Sequence, residues 1–533
     1  MAVHTEDVVA AATAGVGRAD LLISALNAHD GRPCIQLGEE THSYLRVRER
    51  TSQLLQAFDA LGIDAGSTVR LLSGNRAEVL YLIAATTIAG TAGGALHPRG
   101  SLADHAYVLR DSGAGTLIFD PDGFEEHARH LAEEVPELRL LSLGPSDAAE
   151  DLLALADGFS PRPLDRATLP PTDMEAIARI GYTGGTTGRP KGVIASHRSM
   201  LWATLIELLE WQWPEEVRTL VATPLSHSGS AVFLPTLLKG GTVFVLEGMH
   251  FDPDAFLDIV ERHRITATLL VPTMIYRLLD HPRLADADLS SLETIFYGAS
   301  PTSPARLAEA IERLGKRFFQ FYGQAEAPMT VCVMRKEEHD ASIPGRLASC
   351  GRPVPWMRVQ LQDDQGREVP RGQPGEICVR GPLVMSGYWQ LPDQTAQTLA
   401  GGWLHTGDVA TQGDDGFLTI VDRKKDMIIS GGFNVYPREV EDILSGHPAV
   451  AAAAVIGVPD DHWGEIVTAI VRLRPGRSTT EEELKTLVRD AKGSVYAPKN
   501  IAFVSEMPTS AVGKVDKKAL RARYWGQAER QVH

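Results

Sequence analysis

The chain has 533 residues, 44% apolar and 23% charged, with 52 Lys and Arg against 68 Asp and Glu, a formal net charge of −16. This length exceeds one comfortable hydrophobic core, so two or more domains are expected. The acidic balance argues against wrapping nucleic acid or adhering to an anionic membrane, and leaves any phosphate-bearing ligand to be met by local positive charge. Four cysteines (Cys34, Cys332, Cys350, Cys378) are widely spaced with no CxxC pair. That pattern argues against a disulfide framework or a zinc site and fits a reducing cytoplasm.

In chain order, the start MAVHTEDVV lacks the basic residues and apolar run of a signal peptide. Val79–Leu96 carries no charge but holds three threonines and three glycines. It reads as a buried helix turning into a strand, not a membrane span. From about 178 to 323 strands and helices alternate. Ile177–Tyr182 forms a strand, and Ser196 caps an apolar helix running to Trp211. Strands are expected at Thr219–Thr223, Thr242–Leu246, Ala267–Val271 and Thr294–Tyr297. Helices are expected at Asp254–Arg264 and Pro304–Leu314, the latter with Ser303 ahead of a first-turn proline. This alternation predicts an α/β fold of mainly parallel sheets covered on both faces.

The texture changes near Gly351. Val359–Leu361, Glu376–Val379 and the segments around Asp414-Asp415-Gly416 read as short antiparallel strands with tight turns. After Asp422 the chain is strongly charged, and a fresh helix–strand series begins at Pro437. These shifts predict an N-terminal region of residues 1–424, with a β-rich subdomain over about 351–424, and a small α/β domain over 425–533.

The most informative stretch is 182–192, YTGGTTGRPKG. Its glycines let backbone N–H groups turn toward a ligand, its threonines add hydroxyl donors, and a lysine follows three residues past the loop. That is a cradle for polyphosphate oxygens, but not a Walker A loop, whose lysine directly follows the glycine. Further motifs follow in order: Pro224-Leu-Ser-His227-Ser-Gly229, Tyr297-Gly298-Ala299-Ser300, Phe321-Tyr322-Gly323-Gln324-Ala325-Glu326 and Gly375-Glu376. After them come Gly387-Tyr388-Trp389, Thr406-Gly407-Asp408, Asp422-Arg423-Lys424-Lys425-Asp426, Gly431-Gly432-Phe433-Asn434 and Gly513-Lys514.

The ordered set spans nearly the whole chain and resembles the acyl-adenylate-forming enzymes: acyl-CoA synthetases, firefly-type luciferases and peptide-synthetase adenylation domains. Its overall texture is similar to actinobacterial fatty-acid–CoA ligases. The resemblance implies ATP, Mg²⁺ and CoA as cofactors and a mobile C-terminal domain. It implies that Thr183, Gly184, Gly185, Thr186, Thr187, Gly188 and Lys191 hold the phosphates. Gly298, Ala299, Ser300, Tyr322, Gly323 and Gln324 would meet the adenine, Asp408 and Arg423 the ribose, and Glu326 with Thr183 the metal. Lys514 would serve adenylation, Lys425 would be the hinge, and Gly431, Gly432 and Phe433 would meet the thiol. Trp463 either lines the pantetheine path or packs in the small domain's core.

The chemistry agrees with these residue types. A carboxylate attacking the α-phosphorus brings two anions together, so cations and a metal must stabilise the charge that builds. A carboxylate such as Asp408 can accept from two ribose hydroxyls at once. His227 would stand beside the acyl pocket, which the resemblance builds from His227, Gly229, Ala231, Phe233, Gly298, Ala325, Ala327 and Met329. These are small, apolar or uncharged, with no acid to pair an amino acid's ammonium. A medium- to long-chain fatty acid and a hydroxycinnamate-type aryl acid both fit. One departure stands out: the family usually has threonine where this chain has Ala325. Transfer to a carrier protein, luciferase-type oxidation and a non-catalytic nucleotide-binding regulator remain alternatives, and the oligomeric state, a homo-oligomer included, is left open.

Overall fold

The computed structural model describes residues 16–166, 172–183, 190–248, 250–423, 426–430, 433–460, 463–509 and 515–525. Two large sheets form from the alternating half of the sequence. One has nine strands. Its six adjacent parallel strands are Pro33–Leu37, Thr242–Val245, Arg218–Val221, Ala267–Leu270, Thr294–Gly298 and Phe318–Gln324, with antiparallel strands at both edges. The other has eight strands, parallel from Ile177–Thr183 through Ala92–Ala95 across to Glu150–Asp151; on its other side Ile177–Thr183 pairs antiparallel with Lys191–Ser196, and Gly387–Tyr388 adds the edge.

Local signals act where the sequence places them. Ser196 Oγ accepts from Ser199 N at 3.2 Å and starts the helix His197–Glu210. Pro304 opens the helix Pro304–Leu314 behind the cap Ser303. The uncharged stretch from Val79 becomes the buried helix Ala77–Ala89, ended by Gly90 at φ 73°, and then the strand Ala92–Ala95. No described helix is long and apolar enough to cross a membrane.

Behind the strands Thr294–Gly298 and Phe318–Gln324 lies an aromatic cluster. Trp211 stacks on Phe321 at 5.0 Å and leans on Phe296 at 4.6 Å, while its Nε1 donates to Thr330 Oγ1 at 3.0 Å. Such pairs add about 0.5–1.5 kcal/mol each beyond burial. They stiffen the strands from which two of the motifs emerge.

The β-rich segment forms a four-stranded antiparallel sheet of Arg358–Gln362, Gly375–Arg380, Leu404–Gln412 and Leu418–Arg423. A last sheet combines Ile428–Ser430, Phe433–Val435, Val450–Asp460, Gly464–Leu473 and Asn500–Val504. Its helix Pro437–Ser445 packs against Pro304–Leu314. There a guanidinium nitrogen of buried Arg438 donates to the Thr302 carbonyl at 3.3 Å, and Arg474 lies 3.5 Å from Glu309.

Candidate active site

The described ends of the stretch 182–192 belong to two paired antiparallel strands, with Tyr182 opposite Gly192 and Thr183 opposite Lys191. Gly184, Gly185, Thr186, Thr187 and Gly188 lie outside the described residues; the base that carries them is braced. The Tyr182 hydroxyl donates to Asp111, and the Arg70 guanidinium sits 5.4 Å from the Tyr182 ring. Arg70 itself is fully buried and donates to the Ile180 carbonyl at 2.7 Å and to Ser112 Oγ at 3.2 Å. Trp389 closes the same base, donating through N to Gly192 O and through Nε1 to Asp111 O, both at 2.7 Å.

Lys191 Nζ lies 5.2 Å from the centre of the Tyr388 ring, and the Tyr388 hydroxyl donates to Glu326 Oε1 at 2.8 Å. One aromatic side chain therefore links the lysine of the 182–192 stretch to the acidic residue of the 321–326 motif. Burial first, and Glu326 second, raise the Tyr388 pKa, so the phenol stays a donor.

Glu326 and Ala325 are the two turn residues of the hairpin Phe318–Gln324/Ala327–Met334. Space here admits no side chain at two glycines. A Cβ on Gly298 would lie 2.3 Å from Phe321 O, and one on Gly323 would lie 2.7 Å from both Ala327 O and Met329 N. Ala299 and Met329 hold φ of 65° and 62°. Left-handed backbone at non-glycine residues is costly and clusters at functional sites. Ser300 follows Ala299 half-buried, and Gln324 Nε2 donates to Thr406 O at 3.4 Å.

Asp408 is 6% exposed and forms the centre of the next group. Its Oδ2 accepts from the Tyr322 hydroxyl at 2.7 Å, and its Oδ1 from Arg423 Nε at 3.3 Å. Burial, then Asp408, holds the Tyr322 phenol well above its ordinary pKa. Burial pulls Arg423 down, but Asp408 and Asp426 outweigh it and leave the guanidinium above its usual value. The turn that presents Asp408 is fixed from behind. Glu376 Oε1 accepts from Gly407 N at 2.9 Å, and Thr406 Oγ1 donates to Ile377 O at 2.8 Å. Glu376, Cys378 and His405 also bring one ligand atom each within 4.8 Å of one another. With Glu376 committed to the Gly407 amide, that trio reads as scaffolding for the turn.

The His227 segment is shaped by a distant amide. Asn75 Nδ2 donates to Thr223 O at 3.3 Å and Leu246 O at 3.2 Å, while its Oδ1 accepts from Leu225 N at 2.9 Å. A Cβ on Gly229 would lie 2.5 Å from Thr223 O. Ser226 Oγ and His227 Nδ1 are 3.0 Å apart, and the rings of His227 and His97 meet at 4.8 Å. Ala231 is half-buried, and Phe233 and Ala327 are buried.

Of the C-terminal candidates, Phe433 is 61% exposed and Trp463 is 43% exposed, with Lys499 Nζ 5.4 Å from a Trp463 ring. Core packing is thus excluded for Trp463. Lys425, Gly431, Gly432 and Lys514 lie outside the described residues. Flanking Lys514, Thr509 and Val515 pair, and Asp516 Oδ1 caps the helix Lys517–Tyr524 by accepting from Ala519 N at 2.9 Å.

Residues 23–389 match the family model of the AMP-binding enzyme, and residues 439–514 match that of the AMP-binding enzyme C-terminal domain. The chain belongs to the AMP-binding enzyme family. Among its relatives, a medium/long-chain-fatty-acid–CoA ligase, FadD8 of Mycobacterium tuberculosis, is 50% identical over 96% of this chain and 91% of that one. A feruloyl-CoA synthase of an Amycolatopsis species is 38% identical over 92% of this chain and 95% of that protein. Among solved structures, the amide bond synthetase McbA from Marinactinospora thermotolerans superposes with a TM-score of 0.86 at 35% identity, covering 94% of this chain and 99% of that one.

Three features of this AMP-binding enzyme escape sequence reasoning. Tyr388 reads as part of a structural motif, yet it touches both Lys191 and Glu326. Arg70 and Asn75 carry no motif at all, and only their positions in the fold reveal that they brace the hairpin at 182–192 and the His227 segment. His97, in the turn after a strand, gives no signal beyond being a histidine.

Proposed function

We propose that this chain is an ATP-dependent acyl-CoA ligase acting on acids with an apolar tail, with medium- to long-chain fatty acids first and hydroxycinnamate-type aryl acids second. The observation that carries the reading is the connected set around one hairpin. Lys191, Tyr388 and Glu326 join at its turn, and Tyr322, Asp408 and Arg423 at its first strand. The 50% identity to a fatty-acid–CoA ligase supports the order of the two acid classes, and the feruloyl-CoA synthase supports the second.

In the first half-reaction a substrate carboxylate oxygen attacks the α-phosphorus of ATP, the bond to the β-phosphate oxygen breaks, and pyrophosphate leaves. Lys191 and the threonine hydroxyls of 183–187 hold the β- and γ-phosphates, and Lys514 neutralises charge between carboxylate and α-phosphate. Asp408 binds the ribose hydroxyls. Each of its oxygens already accepts one bond, so its spare lone pairs point from a fixed position. Glu326, a hard oxygen donor whose Oε1 accepts from Tyr388, and the Thr183 hydroxyl suit Mg²⁺, which would supply charge neutralisation on the phosphates.

In the second half-reaction the CoA sulfur attacks the acyl carbonyl carbon and AMP leaves with the electrons of the mixed-anhydride bond. His227 is the nearby polar group that would take the thiol proton. Rotation about Lys425, within a division of the chain at 424/425, withdraws Lys514 and presents Gly431, Gly432 and Phe433 to the thiol, with exposed Trp463 beside the pantetheine arm. All four cysteines are buried and outside disulfides, which supports a cytoplasmic setting.

The test is pyrophosphate release with ATP and Mg²⁺ over fatty and hydroxycinnamic acids, with and without CoA. Multiple turnovers that require CoA are expected. Release indifferent to CoA would move the second step to a carrier protein or to oxidation, and no release with any acid would favour a nucleotide-binding regulator.

A further inference from the structure

His97 lies just past the strand Ala92–Ala95, and its ring meets that of His227 edge to face, with centroids 4.8 Å apart and planes at 67°. The backbone N–H of Arg99 donates to His97 Nδ1 at 3.1 Å. A ring nitrogen that accepts carries no proton, so the neutral imidazole bears its proton on Nε2. That nitrogen is buried and has no hydrogen-bond partner among the described residues. Burial first, then His227 and Arg99, lowers the His97 pKa to about 4, and the ring is neutral near pH 7.

The segment is also fixed from behind. His105, on the helix Leu102–Asp111, pairs through Nε2 with the His97 carbonyl at 2.9 Å, and through Nδ1 with His127 Nε2 at 2.9 Å. A carbonyl only accepts, so His105 carries its proton on Nε2 and accepts from His127 at Nδ1. Tautomers are thereby set at His105 and His97, from the helix Pro121–Glu134 up to the ring that touches His227. A buried N–H without an oxygen or nitrogen acceptor calls for an explanation, and an aromatic face is the acceptor that remains.

We propose that His97 is a positioning residue for His227, turning its Nε2–H onto the face of the His227 ring, holding that ring in place and disfavouring its protonation. The positive end of the N–H dipole repels an imidazolium but suits a neutral ring. Arg99 on the same segment disfavours protonation of His97 itself, and His105 with, beyond it, Asp104 and His127 stands behind His97. A neutral His227 is the form able to accept a thiol proton, so the inference rests on the CoA step proposed above.

The experiment uses the full chain with labelled histidines, following the NMR titration of His227, whose signal is assigned by its loss in His227→Ala. In His97→Phe, which keeps the ring but removes the N–H, the His227 midpoint should rise by about half a pH unit. In His97→Gln, whose side-chain amide restores a donor, it should fall back toward the unsubstituted value. The acid limb of thioester formation from supplied acyl-AMP should move upward with the midpoint, because the neutral form is then lost at higher pH. A midpoint unchanged in both variants overturns the proposal. A midpoint that moves while the thioester limb stays put upholds the contact and instead sinks the role of His227 in the CoA step.

Discussion

The two sides of the site proposed above, a nucleotide side and an acyl side, are built by different means. On the nucleotide side, side chains specify one another: Tyr322 and Arg423 share Asp408, and Tyr388 joins Lys191 to Glu326. On the acyl side the backbone does the shaping. Asn75 holds three backbone groups, Gly229 and Gly298 admit close approach, and Met329 bends through positive φ. Charge chemistry demands particular functional groups at particular places, while a pocket for an apolar tail demands only shape. Reaction type and substrate identity are therefore encoded in different currencies along one chain.

The comparison breaks first where charge is removed. Lys514→Ala should lower acyl-AMP formation by roughly 100- to 1,000-fold, the scale of losing one charged transition-state contact. Thioester formation from supplied acyl-AMP should survive; equal loss of both steps would refute the assignment. Next comes Asp408→Ala, which strips the acceptor from Tyr322 and Arg423 together. Pyrophosphate release should fall by about 10- to 100-fold, as expected from losing a hydrogen bond to a charged group. The loss should appear with every acid in the panel. A loss confined to one acid class would mean that the two sides are coupled more tightly than their separate wiring implies.

These side-chain effects are also the part of the molecule that the sequence exposes. The strand–helix alternation from Ile177 to Tyr297, the helix Pro304–Leu314 and the antiparallel segments after Gly351 are legible because period, proline and turn chemistry all agree there. Asp408 and Glu326 are legible because their motifs require a carboxylate. Asn75 is not, because an asparagine that ties together residues about 150 positions away has no local signature. His97 is silent for the same reason: its meaning lies in Arg99 N fixing its tautomer and in a ring brought from residue 227.

Smaller changes sharpen the contrast. Tyr388→Phe keeps the ring beside Lys191 but removes the donor to Glu326, worth about 1.5–3 kcal/mol for a charged acceptor at most. Activity should fall several-fold with a raised Mg²⁺ requirement; an unchanged Mg²⁺ dependence would separate Tyr388 from metal binding. Behind the acyl side, burial, then His127, lowers His105 to about 4 from an ordinary 6.5. The native state therefore resists a proton that the unfolded chain accepts, and stability is lost as pH falls from about 6.5 toward 4. His105→Gln should flatten that part of the Tm profile, and an unaltered slope would mean that His105 is protonated in the fold.

The smallest expected effect tests whether the two sides meet at Ala325. This residue occupies the hairpin turn beside Glu326, half-buried and packed against the main core. If it belongs to the nucleotide side, Ala325→Thr restores a hydroxyl able to reach a phosphate oxygen, and pyrophosphate release should stay equal or rise by at most about tenfold. If it belongs to the acyl side, the added methyl and hydroxyl fill space meant for the tail. Activity would then drop, and the drop would grow with the bulk of the acid. Alanine at this turn would in that case be the one readable mark of the substrate, placed where the motif asks for something else.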